Sequence, residues 1–271
     1  MIKLVVTDID GTLLPEGTDH LNPELFEVIR ALKKNGIQFA VGSGRQYMSM
    51  RYLFQPVLDD VIFIAENGSN VMYQGKNLSS SFMDPAQAKA VVRYLRTLDG
   101  CTTVLSVPEC MYVEQKNEQV IALLENGYHN EVRIVPDLLP LCEHTNKLCV
   151  YCNAGSGVYE KALTERFGKD LNTMVSGDKW VDFMNRSADK GNALREVQQM
   201  LGVTLEETMA FGDNCNDIGM LQRAGESYAV ANAHPEVKKT VKYIAPANTE
   251  DGVLQVLEQL LREMEEEHVS V

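Results

Sequence analysis

The sequence predicts an α/β protein with a doubly wound parallel sheet and an inserted α+β domain. Short apolar strands alternate with amphipathic helices in residues 1–82, and the alternation resumes over residues 187–271. Strands that are apolar along their whole length indicate a parallel sheet covered by helices on both faces. Residues 83–186 show shorter helices and less regular strands, which predicts a second domain.

The first stretch contains three strands and two helices. "KLVVTD" predicts a strand, and "NPELFEVIRALKKNG" predicts a helix that Asn22 caps and Gly36 ends. "IQFAVGSGR" is the second strand with its turn, "YMSMRYLF" is a helix that stops before Pro56, and "DDVIFIAENG" is the third strand. This order is typical of one half of a doubly wound sheet.

The last stretch repeats the alternation. "KGNALREVQQMLGV" predicts a helix, "TMAFGD" a strand, "NDIGMLQRAG" a helix, "SYAVA" a strand, and "HPEVKKTVKYIA" a helix and a short strand. The amphipathic segment "GVLQVLEQLLREMEEE" closes the chain as a helix. We therefore expect one doubly wound sheet domain, residues 1–82 and 187–271, interrupted by an inserted domain, residues 83–186.

Composition narrows the classes of function. The chain has 271 residues and a net charge of -13, which argues against a nucleic-acid partner because phosphate backbones select basic surfaces. No signal peptide and no membrane-spanning run are visible, so we expect a cytoplasmic protein with reduced cysteines. The single CxxC, Cys149 to Cys152, lacks the second pair of a zinc site and is interpreted as two buried thiols.

Polar residues follow the predicted strands, and ligands bind at that edge of an open parallel sheet. Asp8 and Asp10 follow the first strand. Taken alone, they fit two loop acids at a solvated strand end equally well. In "VGSGR", glycines flank Ser43, so that amides and a hydroxyl can approach an anion, although in isolation an ordinary turn is the favoured interpretation.

Two motifs of the last stretch supply further polar groups. Lys190 in "DKGNAL" stands at a helix start, where the helix dipole disfavours a cation. "FGDNCND" ends a strand with Asp213 and places Asn216 and Asp217 at the next helix start. Asp217 alone can be a helix cap, whereas Asp213 at the strand tip is harder to explain by structure alone.

Three acids, a glycine-flanked serine and one lysine are therefore expected at one edge of the sheet. Clustered carboxylates need a hard, oxygen-ligated cation, and Mg²⁺ leaves room for waters and a phosphate oxygen. Hydroxyl, amide and ammonium groups can hold the remaining phosphate oxygens. One carboxylate can attack phosphorus and a second can move protons, so the residues predict a phosphoryl-transfer site.

The motifs "DIDGTLL", "VGSGR", "DKGNAL" and "FGDNCND", in this order, resemble the haloacid dehalogenase (HAD) superfamily, and within it the Cof-type phosphatases with a type-IIB cap. The resemblance covers essentially the whole chain. It implies a Mg²⁺-dependent phosphatase that hydrolyses small phosphorylated metabolites, such as sugar phosphates, through an aspartyl-phosphate. The cap would then select the leaving group, with His129, Arg133 and His144 as candidates for its contacts.

The resemblance also implies roles for the matching residues. Asp8 is the expected nucleophile, and Asp10 is the expected general acid/base with its backbone carbonyl on the metal. The implied metal residues are Asp8, Asp10, Asp213 and Asp217, and the implied phosphate-binding residues are Ser43, Gly44, Lys190 and Asn216. Arg45 and Asn67 follow strand ends and are further candidates for substrate contact, although a surface arginine and a turn asparagine fit as well.

Two other functions fit parts of the pattern. A phosphomutase similar to the phosphomannomutases, which share this cap type, would return the phosphate to a bound sugar. A phosphorylated signalling receiver also gathers acids and a lysine around Mg²⁺. A receiver is a compact single domain, however, and an acid two residues from the nucleophile favours turnover over a lasting phosphoryl group.

Overall fold

Two β-sheets with helices packed on them make up the fold. The structure, a computed structural model, describes residues 1–15, 17–114 and 116–269, with side chains described as far as Glu266. In chain order, the strands are β1 (Leu4–Thr7), β2 (Gln38–Gly42), β3 (Val61–Ala65), β4 (Asn70–Tyr73), β5 (Lys76–Ser80), β6 (Cys101–Ser106), β7 (Met111–Val113), β8 (Val132–Ile134), β9 (Lys147–Cys152), β10 (Leu171–Gly177), β11 (Trp180–Asn185), β12 (Thr208–Gly212), β13 (Glu226–Val230) and β14 (Tyr243–Ala245). The helices are α1 (Pro23–Lys34), α2 (Tyr47–Leu53), α3 (Pro85–Leu95), α4 (Glu118–Ala122), α5 (Glu160–Phe167), α6 (Lys190–Leu201), α7 (Ile218–Leu221), α8 (Pro235–Lys238) and α9 (Gly252–Val269).

The first sheet is the doubly wound one. In the described ranges its strand order is β14-β13-β12-β1-β2-β3-β4-β5. The strands from β14 to β3 are parallel, and the chain winds in opposite directions from β1 and from β12, which are neighbours. The switch point therefore lies between β1 and β12, where ligands bind outside the carboxyl ends of the strands.

An antiparallel hairpin extends this sheet beyond the predicted parallel strands. Strands β4 and β5 pair with each other, and β4 pairs antiparallel with β3. Gln74 and Gly75 form the turn at φ of 50° and 72°, the left-handed backbone of a two-residue hairpin loop. The predicted parallel arrangement thus holds for the centre of the sheet and for the β14 edge.

Helix α1 shows how local sequence shapes the core. The Asn22 side chain accepts a hydrogen bond from the Glu24 amide at 3.0 Å, and Pro23 occupies the first helical position. Leu25, Ile29 and other apolar residues at helical spacing are buried against the sheet. The helix is therefore fixed at its start by capping and along its length by burial of one face.

The second sheet lies in residues 101–185. Its order is β10-β11-β9-β6-β7-β8, and of the pairs that the structure describes only β7 with β8 is parallel. Helices α3 and α5 pack on one face, and α4 packs on the other. This arrangement leaves the second face, which carries Met111, Cys149 and Trp180, turned towards the first sheet.

Two of the expected helices are shorter than their sequence patterns suggest. "NDIGMLQRAG" forms a 3-10 turn, Cys215–Asp217, followed by the single turn α7. "HPEVKK" forms one turn, α8. No helix in the ranges 1–15, 17–114 and 116–269 is both long enough and apolar enough to cross a membrane.

Candidate active site

The ends of β1 and β12 bring the motif acids together. The two strands are paired in parallel, with Thr7 opposite Phe211, and the Asp8 amide donates to the Phe211 carbonyl at 3.0 Å. Asp8 therefore follows one strand at the level where Asp213 follows its neighbour. Adjacent parallel strands with matched register are the reason that residues far apart in sequence meet here.

Three carboxylates form one acidic group at this edge. Oxygens of Asp8, Asp213 and Asp217 lie within 4.8 Å of one another. Burial raises the pKa of Asp8 well above its ordinary value, and the negative charge of Asp217 raises it further. Burial also raises the pKa of Asp213, and the negative charge of Asp217 raises it further. A group whose members disfavour one another's charge in this way is suited to a divalent cation.

Lys190 is buried in this group, in contrast to the solvated lysine expected at an ordinary helix start. Its Nζ donates to Asp8 Oδ1 and to Asp217 Oδ1, both at 2.6 Å. Burial opposes the charge of this ammonium, but the carboxylates of Asp217 and Asp8 outweigh burial and raise its pKa. Asp189 is the N-terminal capping residue of α6 and accepts a hydrogen bond from the Asn192 amide at 3.0 Å. This bond fixes the start of the helix, from which Lys190 projects.

Asp217 has a supporting position as well as a place in the acidic group. Its Oδ2 accepts from the backbone amides of Asp213 and Asn214, each at 3.0 Å. Its Oδ1 accepts from Lys190. The capping role foreseen for this acid is therefore present, and it also holds the loop that carries Asp213 in place.

Close packing around the acids explains the glycine of the first motif. A Cβ on Gly11 would lie 2.4 Å from Asp213 Oδ2, and the φ of Gly11 is +87°. Both facts require glycine at this position. Thr12, the next residue, donates from Oγ1 to Asp213 Oδ1 at 2.9 Å and orients that carboxylate.

The Asp10 carboxylate turns away from the acidic group and pairs with Arg45. Arg45 donates from Nε to Asp10 Oδ2 at 2.9 Å and from Nη2 to Asp10 Oδ1 at 2.6 Å. Ser43 Oγ lies 3.3 Å from Asp10 Oδ2 and 3.1 Å from the Arg45 amide. The structure thus places Asp10, Ser43 and Arg45 together, with the Asp10 side chain half exposed beside the acids.

Asn67 and Asn216 form a second pair beside the loop of residues 43–45 that follows β2, called the serine loop below. Asn216 donates from Nδ2 to Asn67 Oδ1 at 3.0 Å. Asn67 has a φ of 54°, and a Cβ on Gly44 would lie 3.2 Å from its Nδ2. All these side chains and the Gly44 backbone face the same cavity as Asp8, Asp10 and Asp213.

The cavity, of about 660 Å³, extends from the acids to the second sheet. Hydrogen bonds join the second-sheet region to the serine loop and the residue after it: Lys147 Nζ donates to the Gly44 carbonyl at 3.1 Å, and Gln46 Nε2 donates to the Val107 and Pro108 carbonyls, each at 3.0 Å. None of His129, Arg133 and His144 is among the residues found to line the cavity. His129 stacks on Tyr52 instead, with ring centroids 3.6 Å apart.

Sequence reasoning missed several residues of this site. Lys147, in the otherwise apolar strand "NKLCVYC", carried a signal, since an ammonium in a buried strand needs partners. Thr12 belongs to the motif "DIDGTLL", but its residue type alone does not indicate the contact with Asp213. Asp182 lies in "WVDFMN", again as a lone charge in an apolar strand. A charged residue inside an otherwise apolar strand is therefore the sequence signal that indicates these two residues of the site.

Comparison with known proteins agrees with this geometry. Residues 5–257 match the family model described as haloacid dehalogenase-like hydrolase. A protein of Escherichia coli named 5-amino-6-(5-phospho-D-ribitylamino)uracil phosphatase YbjI is 28% identical over 268 residues, which are 96% of this chain and 97% of that protein.

Solved structures show the same fold. A protein of Eubacterium rectale has a TM-score of 0.87 at 33% identity, covering 96% of this chain and 99% of that one. The HAD subclass IIB sugar phosphatase BT4131 is similar in fold, with a TM-score of 0.76 at 20% identity, covering 95% of this chain and 98% of that one. The chain therefore belongs to the haloacid dehalogenase-like hydrolases, as a phosphatase of the Cof type, and it shares its fold with the subclass IIB structure.

Proposed function

We propose that this protein is a Mg²⁺-dependent phosphatase of small phosphorylated metabolites, sugar phosphates among them, that works through an aspartyl-phosphate on Asp8. One observation carries the proposal. The Asp8 carboxylate lies at the switch point of the sheet, is held by Lys190 at 2.6 Å, and faces a cavity with room for more than a phosphate. The core is assigned to residues 1–82 and 187–271, and the cap to residues 83–186.

The acidic group suits a divalent metal, and Mg²⁺ is the proposed ion. The ligand atoms are carboxylate oxygens, which Mg²⁺ prefers, and their mutual spacing within 4.8 Å is compatible with shared coordination. Asp8 and Asp213 would hold the ion together with the Asp10 backbone carbonyl, while Asp217 supports them. When bound, the ion supplies positive charge that keeps the clustered acids ionised and attracts the phosphate.

The phosphate is proposed to bind between the serine loop and Lys190. Ser43 Oγ and the Gly44 amide would donate to phosphate oxygens from one side, and Asn216 from the other. Lys190 would hold the Asp8 carboxylate in the orientation for attack and face the phosphate as it transfers. Donors fixed before the reaction stabilise the developing charge without rearrangement.

Chemistry is proposed to proceed in two steps. In the first, an Asp8 oxygen forms a bond to phosphorus while the ester P–O bond breaks, and Asp10 gives its proton to the leaving oxygen. In the second, Asp10 takes a proton from water, and the water oxygen displaces Asp8 from phosphorus. The Arg45 contact holds the Asp10 carboxylate at the cavity, and we propose that Arg45 and Asn67 also contact substrate.

Hydrolysis is preferred over the phosphomutase reaction because the E. coli relative is named a phosphatase. That relative is named for a phosphorylated ribitylaminouracil, so esters of this kind belong in the substrate panel. All six cysteines are free thiols, which supports the cytoplasm as the proposed location.

The test is phosphate release from a panel of phosphorylated sugars, polyols and nucleosides, with Mg²⁺ and with EDTA. We expect turnover that requires Mg²⁺, a loss of about a thousandfold or more in Asp8→Asn, and a loss of about 10²–10⁴-fold in Asp10→Asn. Asp170→Asn, an exposed aspartate, is the matched control and should keep wild-type activity. No release from any ester, or full activity in Asp8→Asn, would refute the proposal.

A further inference from the structure

The far wall of the cavity is built by the second sheet and carries charged residues that the proposed chemistry does not use. Strands β9 and β11 are antiparallel neighbours with Cys149 opposite Asp182. Residues two apart on a strand share a face, so Lys147, Cys149 and Asp182 lie on one side of the sheet. Lys147 and Asp182 both line the cavity, although each is at most 5% exposed.

Lys147 is the centre of this wall. Its Nζ lies 3.4 Å from Asp182 Oδ2, 3.7 Å from Glu66 Oε1 and 3.1 Å from the Gly44 carbonyl oxygen. Burial disfavours the ammonium, but the Asp182 and Glu66 carboxylates outweigh burial and raise its pKa. Lys147 is therefore a fixed cationic donor that contacts both Asp182 of the far wall and Gly44 of the serine loop.

Glu66 is the second acid that pairs with Lys147. It is 1% exposed, and neither carboxylate oxygen has a hydrogen-bond partner among the described residues. Burial raises the pKa of Glu66, with the Lys147 charge opposing that shift. Its backbone has a φ of 51°, a strained conformation for glutamate of the kind that persists at functional sites. An acid kept at this cost fixes the position of the lysine.

Asn130 adds an unused acceptor to the same cavity. It lines the cavity, is 7% exposed, and its Oδ1 has no hydrogen-bond partner among the described residues. A buried amide oxygen without a partner is costly, so an occupant that donates to it would be stabilised. With Lys147 as donor and Asp182 as acceptor, the wall matches hydroxyl groups, which both donate and accept.

The charges of the cavity disfavour a second anion. Among its described lining residues are four acids, Asp8, Asp10, Asp182 and Asp213, and two bases, Arg45 and Lys147. Both bases are already paired with carboxylates. The reacting phosphate has its own proposed donors near Asp8, but a carboxylate or phosphate at the far wall would face Asp182 with no unpaired base among the described lining residues.

We propose that Lys147, Asp182 and Asn130 bind an uncharged, hydroxyl-bearing leaving group and select against substrates with a second anionic group. The inference rests on the proposed phosphatase function and assigns the substrate class to this wall. Lys147 is a specificity-determining residue, and through the Gly44 carbonyl it also sets the distance between the leaving group and the serine loop.

The experiment compares competitors of p-nitrophenyl phosphate hydrolysis by the full chain with Mg²⁺. Sorbitol 6-phosphate and 6-phosphogluconate differ only at the far end, where a hydroxymethyl group is replaced by a carboxylate. We expect the wild type to bind sorbitol 6-phosphate at least about tenfold more tightly, and Asp182→Asn to reduce that ratio by about tenfold because the repelling charge is gone.

Inorganic phosphate is the probe that lacks a leaving group. Lys147→Met should weaken the binding of sorbitol 6-phosphate by about 10- to 100-fold and should weaken the binding of inorganic phosphate much less. Asn130→Ala should also weaken the binding of sorbitol 6-phosphate more than that of inorganic phosphate. This second variant keeps the test decisive if Lys147→Met does not fold. Lys161→Met and Asp170→Asn, both exposed, should keep the wild-type ratios.

The outcomes separate the two proposals. If the wild type does not hydrolyse p-nitrophenyl phosphate or any ester of the panel, the phosphatase proposal fails. If hydrolysis occurs but the wild type binds 6-phosphogluconate as well as sorbitol 6-phosphate, the inference is overturned and the phosphatase stands. The inference is equally overturned if Lys147→Met and Asn130→Ala weaken phosphate and sorbitol 6-phosphate alike.

Discussion

Replacing Lys190 by methionine removes the buried cation that neutralises the acidic group. The Lys190 side chain is 0% exposed and contacts Asp8 and Asp217 at 2.6 Å each. Methionine fills a similar volume, so the change is mainly electrostatic. Loss of one partner from a buried ion pair typically costs about 3–5 kcal/mol, and we expect the free energy of unfolding to fall by that amount at about pH 7.5.

The pH dependence of this loss has a definite sign. Burial already raises the pKa of Asp8, and removal of Lys190 takes away a group that lowers it. Protonation relieves an unpaired buried carboxylate, so the cost of Lys190→Met should be smaller at about pH 5.5 than at about pH 7.5. The assay is urea unfolding without divalent cations, followed by circular dichroism at both pH values.

Two further variants make the measurement specific. In Lys190→Met/Asp217→Asn the second change removes one unpaired charge, so the double variant should be more stable than the sum of the single effects, by about 0.5–3 kcal/mol. The exposed Lys161→Met should stay within about 0.5 kcal/mol of wild type. A loss for Lys190→Met below about 1 kcal/mol, or one equal at both pH values, would refute the reasoning.

Two other predictions concern the metal site. The raised pKa values of Asp8 and Asp213 mean that, without a cation, their contribution to stability is present at low pH and is lost as pH rises through those values. Mg²⁺ should therefore stabilise the protein more at about pH 7.5 than at about pH 5.5, which is measured as a larger rise in melting temperature. At a concentration 100 times its Kd, Mg²⁺ should add about 2.7 kcal/mol to the free energy of unfolding. Gly11→Ala should displace Asp213 and weaken Mg²⁺ binding by about 10- to 100-fold, measured by titration calorimetry.

Each of these has its own control and contrary result. Gly36→Ala creates the same kind of strain, at φ +79°, with nothing within 4 Å of the new Cβ, so it should leave Mg²⁺ affinity unchanged. Equal loss of affinity in Gly11→Ala and Gly36→Ala would show that the contact with Asp213 is irrelevant. A Mg²⁺-dependent shift that is identical at both pH values would contradict proton displacement from the acids.

The centre of the fold was predictable because its signals are local. Buried strands such as β1 and β12 are continuous apolar runs, and each ends at a polar motif, so the parallel sheet and the residues at its edge follow from the pattern. Lys190 was suspected because a cation at a helix start is unfavourable. The structure supplies what the pattern lacked, the two carboxylates at 2.6 Å that make this position favourable.

Other features depend on pairings that the sequence does not display. The β4–β5 hairpin was missed because β5, "KNLSS", is polar and mostly exposed, and its turn is Gln74-Gly75 rather than a stronger turn pair. The far wall of the cavity does not follow from the sequence, because Lys147 and Asp182 meet only through the register of β9 against β11. A shift of one residue in that register would turn Asp182 to the opposite face.

The central claim, that phosphate is transferred to Asp8, is tested most directly by trapping the phosphoryl-enzyme. p-Nitrophenolate leaves without a proton, so Asp10→Asn should still be phosphorylated by p-nitrophenyl phosphate but should lose the base that activates water. After an acid quench, peptide mass spectrometry should find the phosphoryl group on Asp8 in this variant, and none in Asp8→Asn. Turnover of p-nitrophenyl phosphate with no phosphoryl group on Asp8, or with it on another residue, would contradict the account.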